Sequence, residues 1–298
     1  SIHREGLRMA KEAFEIQHLS PDLTWPDDRR IAVVFNLAYE MWSPGVTSGV
    51  GPMGNVLRDG LFDPNADSYG QYNATHGIPR LVDILERRGI AATLMTSGRV
   101  AETHPAQLRR FSARGHEIVA HGMAQDMVFP TLTAEEARHS IRRSTSLIEG
   151  ATGQRPKGWI SPRVTSGPDI QRMFAEEGYA WHGDVIDADL PYLQRFGEAE
   201  ILAIPMSVEF NDLPHAMRFG RTPGQFVEMF REALDGIRRQ PPETIILDIF
   251  AHGHCYGRPA AAWAIDEIAA LCKADPSLWL TTRALIAAHC AQTRKHAA

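Results

Sequence analysis

The sequence predicts an α/β protein in which parallel strands alternate with helices and close into a barrel-like sheet. Three observations support this prediction. Short apolar runs alternate with segments of helical spacing, seven or eight such runs can be counted, and several of them end in His, Asp, Glu or Arg. The rhythm is too regular for two unrelated domains. We therefore predict an N-terminal arm over residues 1–30 and one barrel domain over residues 31–298.

The first strand and helix of the predicted barrel are separated by a long loop. Residues 31–35 are all apolar and predict a buried strand. Residues 41–74 are rich in Gly and Pro, and a loop of this length inside a compact domain is typically a lid or a binding loop. Helical spacing then predicts a helix over residues 78–85, which Gly89 ends, and residues 91–95 form the second strand.

The same alternation continues to the end of the chain. Thr133 and Glu136 form a capping box for a long helix, and Thr222 followed by Pro223 opens another. Further strands are predicted at residues 117–120, 158–160, 179–182, 201–204, 244–250 and 278–280. Further helices are predicted at residues 105–113, 133–149 and 168–177, from residue 222 onward, at residues 259–271 and at the C-terminus.

Composition indicates an ordinary globular protein. The formal net charge is −5 and 22% of the residues are charged, which gives no reason to expect nucleic acid or a membrane as a partner. There is no apolar run of 18 residues and no signal-peptide pattern near the N-terminus. The 3 cysteines form no CxxC pair, which suits a reducing compartment. We expect a cytoplasmic protein.

The functional site is expected at the carboxyl ends of the predicted strands, where barrels of this kind carry their chemistry. Polar residues follow most strands, and each one alone is typical of a solvated loop. Glu40, His121 and His252 differ, because each stands directly where an apolar run stops. Their convergence on a single cavity is the central expectation. The other polar residues at strand ends are Asn36, Ser97, Arg99, Gln125, Asp126, Ser161, Arg163, Asp184, Asp187, Asp189, Glu209, Asn211, Asp212 and His254.

Several short motifs stand in order along the chain. They are Ser68-Tyr69-Gly70, Gly77-Ile78-Pro79-Arg80-Leu81, Gly115-His116-Glu117-Ile118, His121-Gly122, Thr152-Gly153-Gln154-Arg155-Pro156-Lys157-Gly158-Trp159, Ser161-Pro162-Arg163, Asp189-Leu190-Pro191-Tyr192, Asn211-Asp212, and His252 before Gly257-Arg258-Pro259. Together they resemble the polysaccharide deacetylase superfamily (NodB homology), and within it the branch of allantoinase-like and peptidoglycan-deacetylase-like proteins, over roughly residues 30–290. The resemblance implies a distorted (β/α) barrel of about seven strands.

The chain departs from the superfamily at the positions that hold a metal. Metal-dependent members carry an Asp pair after the first strand, and the matching residues here are Ala38 and Glu40. The family's later metal-binding histidine is Gln125 in this chain. A carboxylate, an imidazole and an amide form a poor transition-metal site. The resemblance therefore leaves two states open: no cofactor, as in the allantoinase-like branch, or a divalent metal such as zinc on Glu40, His121 and Gln125.

His254 and Cys255 also lie near the predicted site in the sequence. His252 and His254 have a spacing that suits a metal, but the resemblance favours His252 alone in the site, with His254 capping the next turn. Cys255 would need a histidine base and an electropositive setting to act as a nucleophile. Nothing else in the sequence suggests one, so we expect a bystander thiol. His116 is expected to be structural.

The predicted reaction is hydrolysis of a carbon–nitrogen amide bond by water. Such a reaction needs activation of the water, stabilisation of an oxyanion and protonation of the leaving nitrogen. We expect Glu40 to position or deprotonate the water, His121 to orient it, and His252 to protonate the nitrogen. For substrate binding we expect Arg163, Asp189, Asp212, Trp42 and Tyr69 to contribute, with Asp189 and Asp212 equally able to brace loops.

The favoured substrate is a small cyclic amide such as allantoin, a hydantoin or a cyclic imide. One alternative is a metal-dependent carbohydrate or peptidoglycan N-deacetylase. The other is a catalytically inactive ligand-binding homologue, which Ala38 and Gln125 suggest. The resemblance further implies a homo-oligomer, as related proteins are commonly homotetramers.

Overall fold

A single mixed sheet of 11 strands organises the chain. The computed structural model describes residues 14–46, 57–58 and 60–297, with side chains as far as residue 294. The strands are β1 (Glu15–His18), β2 (Ile31–Tyr39), β3 (Thr93–Thr96), β4 (Glu117–Ala120), β5 (Gly158–Trp159), β6 (Trp181–His182), β7 (Tyr192–Phe196), β8 (Ala199–Ala203), β9 (Phe210–Asn211), β10 (Ile245–His252) and β11 (Leu278–Thr281).

The strand order is β1-β7-β8-β6-β5-β4-β3-β2-β10-β9, with β11 beside the first half of β2. All pairs from β8 to β9 are parallel, and so is the pair of β11 with β2. The predicted α/β class is thereby confirmed. Within the described residues no strand ladder joins β9 to β8, so the hydrogen-bonded sheet does not close into a complete barrel there.

Helices connect the parallel strands. They span Pro64–Tyr72, Ile78–Arg87, Gly98–Thr103, Pro105–Ala113, Ala134–Thr152, Pro168–Glu176, Pro223–Arg238, Pro259–Lys273 and Arg283–Ala297. The capping box of Thr133 and Glu136 is present, and Thr222 forms a second one with Gln225. No helix in the described part of the chain is long and apolar enough to cross a bilayer.

The segment predicted as one long loop, residues 41–74, contains a helix. Asp63 caps its start by accepting hydrogen bonds from the backbone of Asn65 and Ala66, and Pro64 occupies its first turn. A π-helical turn, Asn73–Gly77, follows at once. Residues 47–56 and 59 lie outside the described residues, so a covering role for that part of the loop stays a prediction.

An antiparallel hairpin interrupts the alternation that the sequence predicts. β7 and β8 are joined by a tight turn in which Gly197 has a φ of 67°. β1 adds to the outer edge of β7, pairing Glu15 with Arg195 and His18 with Tyr192. Part of the predicted arm over residues 1–30 thus extends the sheet. The division of the chain at residue 30 stays a prediction.

Strand alternation separates an inner face of the sheet from an outer, helix-covered one. On β2, Val33, Phe35 and Leu37 pack in the main apolar core with the helices. Ala32 and Ala38 pack in a second cluster with Val119 and Phe250 of other strands and with Ile160, which follows β5. Because successive side chains of a strand point to opposite faces, the side chain after Tyr39 returns to the inner face.

Candidate functional site

A cavity of about 600 Å³ lies at the carboxyl ends of the parallel strands. This is the end of the sheet at which the sequence predicts the site. Its polar walls come from separate strand ends and the loops that follow them. They include Glu40, His121, Gln125, Asp126, Ser161, Arg163, Asn211, His252 and His254, and apolar walls include Trp42, Met95, Met206 and Phe250.

Three of the predicted site residues meet inside this cavity. Oε1 of Glu40 lies 3.3 Å from Nε2 of His121 and 3.8 Å from Nε2 of His252. All three side chains are buried. Glu40 follows β2, His121 follows β4 and His252 ends β10, each on the inner face. The three groups are close enough to act on one small molecule.

The backbone fixes the orientation of His121. Its Nδ1 lies 2.6 Å from the carbonyl oxygen of Ile160, so Nδ1 carries a proton that it donates. Nε2 then faces Oε1 of Glu40 at 3.3 Å, and this hydrogen bond holds one carboxylate oxygen. The second oxygen, Oε2, has no partner among the residues that are described.

Asp212 holds His252 from behind. This fully buried carboxylate accepts hydrogen bonds from Nδ1 of His252 at 2.6 Å, the backbone N–H of His252 at 2.8 Å and that of Tyr256 at 3.0 Å. Burial by itself lowers the pKa of His252, but the charges of Asp212 and Glu40 outweigh it and raise the pKa to about 9. His252 is therefore protonated near neutral pH, with its Nε2–H toward the cavity.

The charge of His252 in turn acts on the pKa of Glu40. Burial raises the pKa of the Glu40 carboxyl, but the charge of His252 and the hydrogen bond from His121 outweigh burial and lower this pKa. An ionised carboxylate thus lies beside a protonated imidazole. This arrangement provides a proton acceptor and a proton donor at one place.

Arg163 stands at the cavity wall with an exposed guanidinium. Its backbone is left-handed, with φ of 56°, and so is that of Val164. Asp184 keeps this loop in place by accepting hydrogen bonds from the backbone N–H of Ser161 and from the hydroxyls of Ser161 and Ser166. No ion pair engages Arg163 in the described structure, which leaves its charge available to a ligand.

The residues predicted to hold a metal do not fit one. Gln125 offers only an amide, and its Nε2 is buried with no hydrogen-bond partner in the described structure. Neighbouring Asp126 accepts from the backbone of Ser43 at 2.7 Å. Among the described residues no group of three or more His, Cys, Asp or Glu is arranged to hold a metal ion. An amide in place of a third strong ligand disfavours zinc.

The structure places the predicted substrate-binding residues differently from one another. Trp42 and Arg163 line the cavity. Tyr69 lies behind the cavity, with its ring edge-on to that of His254 and the two ring centroids 5.3 Å apart. Asp212 is fully buried behind His252, and its side chain is hydrogen-bonded to Nδ1 of that histidine. Asp189 lies along a different groove, because the chain after β6 runs to β7 on the far side of β8.

One residue of this site has no signal in the sequence. Asn73, in the π-helical turn, is fully buried and reaches the strand ends of β2 and β10. No pattern around residue 73 distinguishes this asparagine from others in a Gly-rich loop. Cys255, in contrast, behaves as expected: burial raises the pKa of its thiol, which disfavours the thiolate.

Comparisons with known proteins agree on one superfamily. Residues 63–181 match the model of the polysaccharide deacetylase family. A peptidoglycan deacetylase of Helicobacter pylori is 24% identical over 191 residues, which cover 56% of this chain and 65% of that protein. The chain thus spans less than two thirds of that relative's length.

Solved structures match over almost the whole chain. The PuuE allantoinase is 26% identical, with a TM-score of 0.79, over 92% of this chain and 93% of its own. A probable polysaccharide deacetylase from Pseudomonas aeruginosa PAO1 is 27% identical, with a TM-score of 0.80, over 94% and 96% of the two chains. The relationship predicted from the motifs is confirmed: this chain is related to the polysaccharide deacetylases, and its structural neighbours include an allantoinase.

Proposed function

We propose that this protein hydrolyses a carbon–nitrogen bond in a small cyclic amide such as allantoin, a hydantoin or a cyclic imide. The observation that carries the proposal is the pairing of Glu40 with His252 at 3.8 Å in one cavity, with Asp212 behind the histidine. The sharing of this fold with an allantoinase supports a cyclic amide. A cavity of about 600 Å³ suits a small ring better than a polymer.

In the proposed reaction each group has a role that its position supports. Oε2 of Glu40 takes a proton from water while the water oxygen bonds to the amide carbon and the carbonyl electrons move to the carbonyl oxygen. When this tetrahedral intermediate collapses, the C–N bond breaks and Nε2 of His252 gives its proton to the nitrogen. The opened ring carries a new carboxylic acid and a new N–H. Proton transfer from Glu40 to His252 restores the starting state.

His121 and Arg163 support this reaction without exchanging atoms with the substrate. The hydrogen bond from His121 holds Oε1, which leaves Oε2 directed to the water. Arg163 can bind a second carbonyl of the ring or a carboxylate, since guanidinium donates paired hydrogen bonds to such oxygens. A ureide or imide ring offers that second carbonyl.

The family match favours a second candidate, N-deacetylation of a carbohydrate or of peptidoglycan. Water attack on an acetamide uses the same base and acid. The inactive ligand-binding homologue is the remaining alternative.

A substrate panel separates these functions. Purified protein is assayed with allantoin, hydantoin, succinimide and N-acetylated glucosamine oligomers, beside the variant Glu40→Gln. We expect ring opening of a cyclic amide by the wild type and a loss of about 10²–10⁴-fold in kcat in the variant. Release of acetate alone would support the deacetylase, and binding without turnover would support the inactive homologue. Equal rates for wild type and variant would contradict the role of Glu40.

We further propose that the protein acts as a cytoplasmic homotetramer. The resemblance to the allantoinase-like branch supports this assembly. Light scattering coupled to size-exclusion chromatography measures the mass of the particle, and a monomeric mass would contradict it.

A further inference from the structure

The amide of Asn73 can adopt only one orientation. Its Nδ2 donates to the carbonyl oxygen of Ala38 at 2.8 Å, and its Oδ1 accepts from the backbone N–H of Glu40 at 3.4 Å. A carbonyl cannot donate and a backbone N–H cannot accept, so rotating the amide by 180° would break both contacts. Asn73 is thus held by the backbone that carries Glu40.

This orientation determines which nitrogen of His254 carries a proton. Nδ2 of Asn73 has two hydrogens, and it also lies 3.0 Å from Nδ1 of His254. Because Nδ2 can only donate, Nδ1 of His254 must accept, and the ring's single proton is on Nε2. Burial and the charge of His252 lower the pKa of His254 to about 4, so the ring stays neutral.

The Nε2–H of His254 is a free donor beside the reacting groups. The ring lines the cavity, and its centroid is 5.6 Å from that of His252. The rings of Trp42 and Tyr69 contact the His254 ring edge-on, with centroids 5.7 and 5.3 Å from its centroid, and these contacts restrain its rotation. Nδ1 has its partner in Asn73, whereas Nε2 has none in the described part of the chain.

We propose that His254 donates its Nε2–H to the oxygen of the carbonyl under attack, and that Asn73 is a positioning residue that selects this tautomer. The inference rests on the proposed amide hydrolysis. When water adds, this oxygen gains a full negative charge, and a donor already in place stabilises it more than it stabilises the neutral carbonyl. No proton leaves His254, whose neutral state allows it to donate while His252 beside it supplies the acid.

Two substitutions at position 254 separate this role from a structural one. In His254→Gln the amide nitrogen can reach the place of Nε2, whereas in His254→Asn the shorter amide reaches only the place of Nδ1. We expect His254→Asn to lower kcat by about 10²–10³-fold with little change in KM, and His254→Gln to restore much of it. His139→Asn, an exposed histidine on the helix Ala134–Thr152, is the matched control and should retain full activity.

The tautomer itself is measured without substrate, by ¹⁵N NMR of histidine side chains assigned with His254→Gln. We expect an unprotonated Nδ1 and a protonated Nε2 at neutral pH. A protonated Nδ1, or equal kcat in His254→Asn and the wild type, would overturn this inference alone. Absence of turnover in the wild type, with the expected tautomer present, would overturn the proposed function and with it the role of His254.

Discussion

Opposite protonation states of two neighbouring side chains underlie the proposed chemistry. Glu40 and His252 are both buried, and burial alone would make each of them neutral. Their mutual attraction and the charge of Asp212 reverse this, so that the base is ionised and the acid is protonated over the same pH range. Among the neighbouring charges, that of Asp212 therefore does most to keep His252 protonated.

Asp212→Asn should show this in a pH profile. In the wild type, kcat/KM requires ionised Glu40 and protonated His252, so activity falls at high pH as His252 loses its proton with a pKa of about 9. Without the charge of Asp212 this pKa falls, so the basic limb moves to lower pH and kcat drops by about 10²–10⁴-fold. Kinetics from pH 5 to 10 measure both, with Asp169→Asn, an exposed carboxylate, as control. An unmoved basic limb would contradict the role of Asp212.

Some residues of the site could be predicted from the sequence, and others could not. Glu40, His121 and His252 could be predicted, because each ends an apolar run and strand ends converge in a parallel sheet. Asn73 could not, because it acts through contacts with residues 35 and 181 positions away. Asp212 was visible as a polar residue at a strand end, but its contact with His252 depends on the pairing of β9 with β10.

At the scale of elements, close backbone contact joins the π-helical turn to the end of β10. A Cβ atom on Gly77 would lie 2.0 Å from the carbonyl oxygen of Gly253, and one on Gly253 would lie 2.7 Å from the carbonyl oxygen of Asn73. Only residues without a Cβ permit this approach. The contact brings Asn73 to His254, so these glycines support the site through the backbone.

Gly77→Ala should therefore affect both stability and activity. The new methyl group must push the turn away from Gly253, which we expect to lower the free energy of unfolding by about 1–3 kcal/mol and to reduce kcat as Asn73 moves. Urea denaturation and kinetics measure these effects. Gly150→Ala is the matched control, because a Cβ there meets nothing within 4 Å in the helix Ala134–Thr152, and we expect a gain of about 1 kcal/mol. Equal stability of the two variants would refute the contact.

Elements with local signals were predictable, whereas the antiparallel hairpin was not. The helix Ala134–Thr152 was predicted from its capping box, and β10 from its apolar run. β7 and β8 break the expected alternation because their pairing depends on a tight turn at Gly197 and on the edge that β1 covers. Sequence periodicity distinguishes strand from helix, but it does not distinguish parallel from antiparallel neighbours.

Across the whole molecule, a buried polar network lies one layer below the reacting groups. Arg283, wholly buried, pairs with Asp248 at 2.7 Å and donates to the carbonyl oxygen of Ile204 at 2.9 Å. Asn36 donates to the other oxygen of Asp248 at 2.8 Å. Asn36 lies on β2, four residues before Glu40, which follows that strand, and Asp248 lies four residues before His252 on β10. The network thus fixes the spacing of the two strands that carry the proposed base and acid.

Removing Arg283 should destabilise the whole fold, because it leaves the Asp248 carboxylate buried without its cation. We expect Arg283→Met to lower the free energy of unfolding by about 3–5 kcal/mol in urea denaturation. The double variant Arg283→Met with Asp248→Asn also removes the unpaired charge of Asp248, so it should recover part of the lost free energy of unfolding. Arg87→Met, at an exposed position, should change stability by no more than about 0.5 kcal/mol. If the single and double variants were equally unstable, lost packing around Arg283 would account for the effect, and the charge of Asp248 would not.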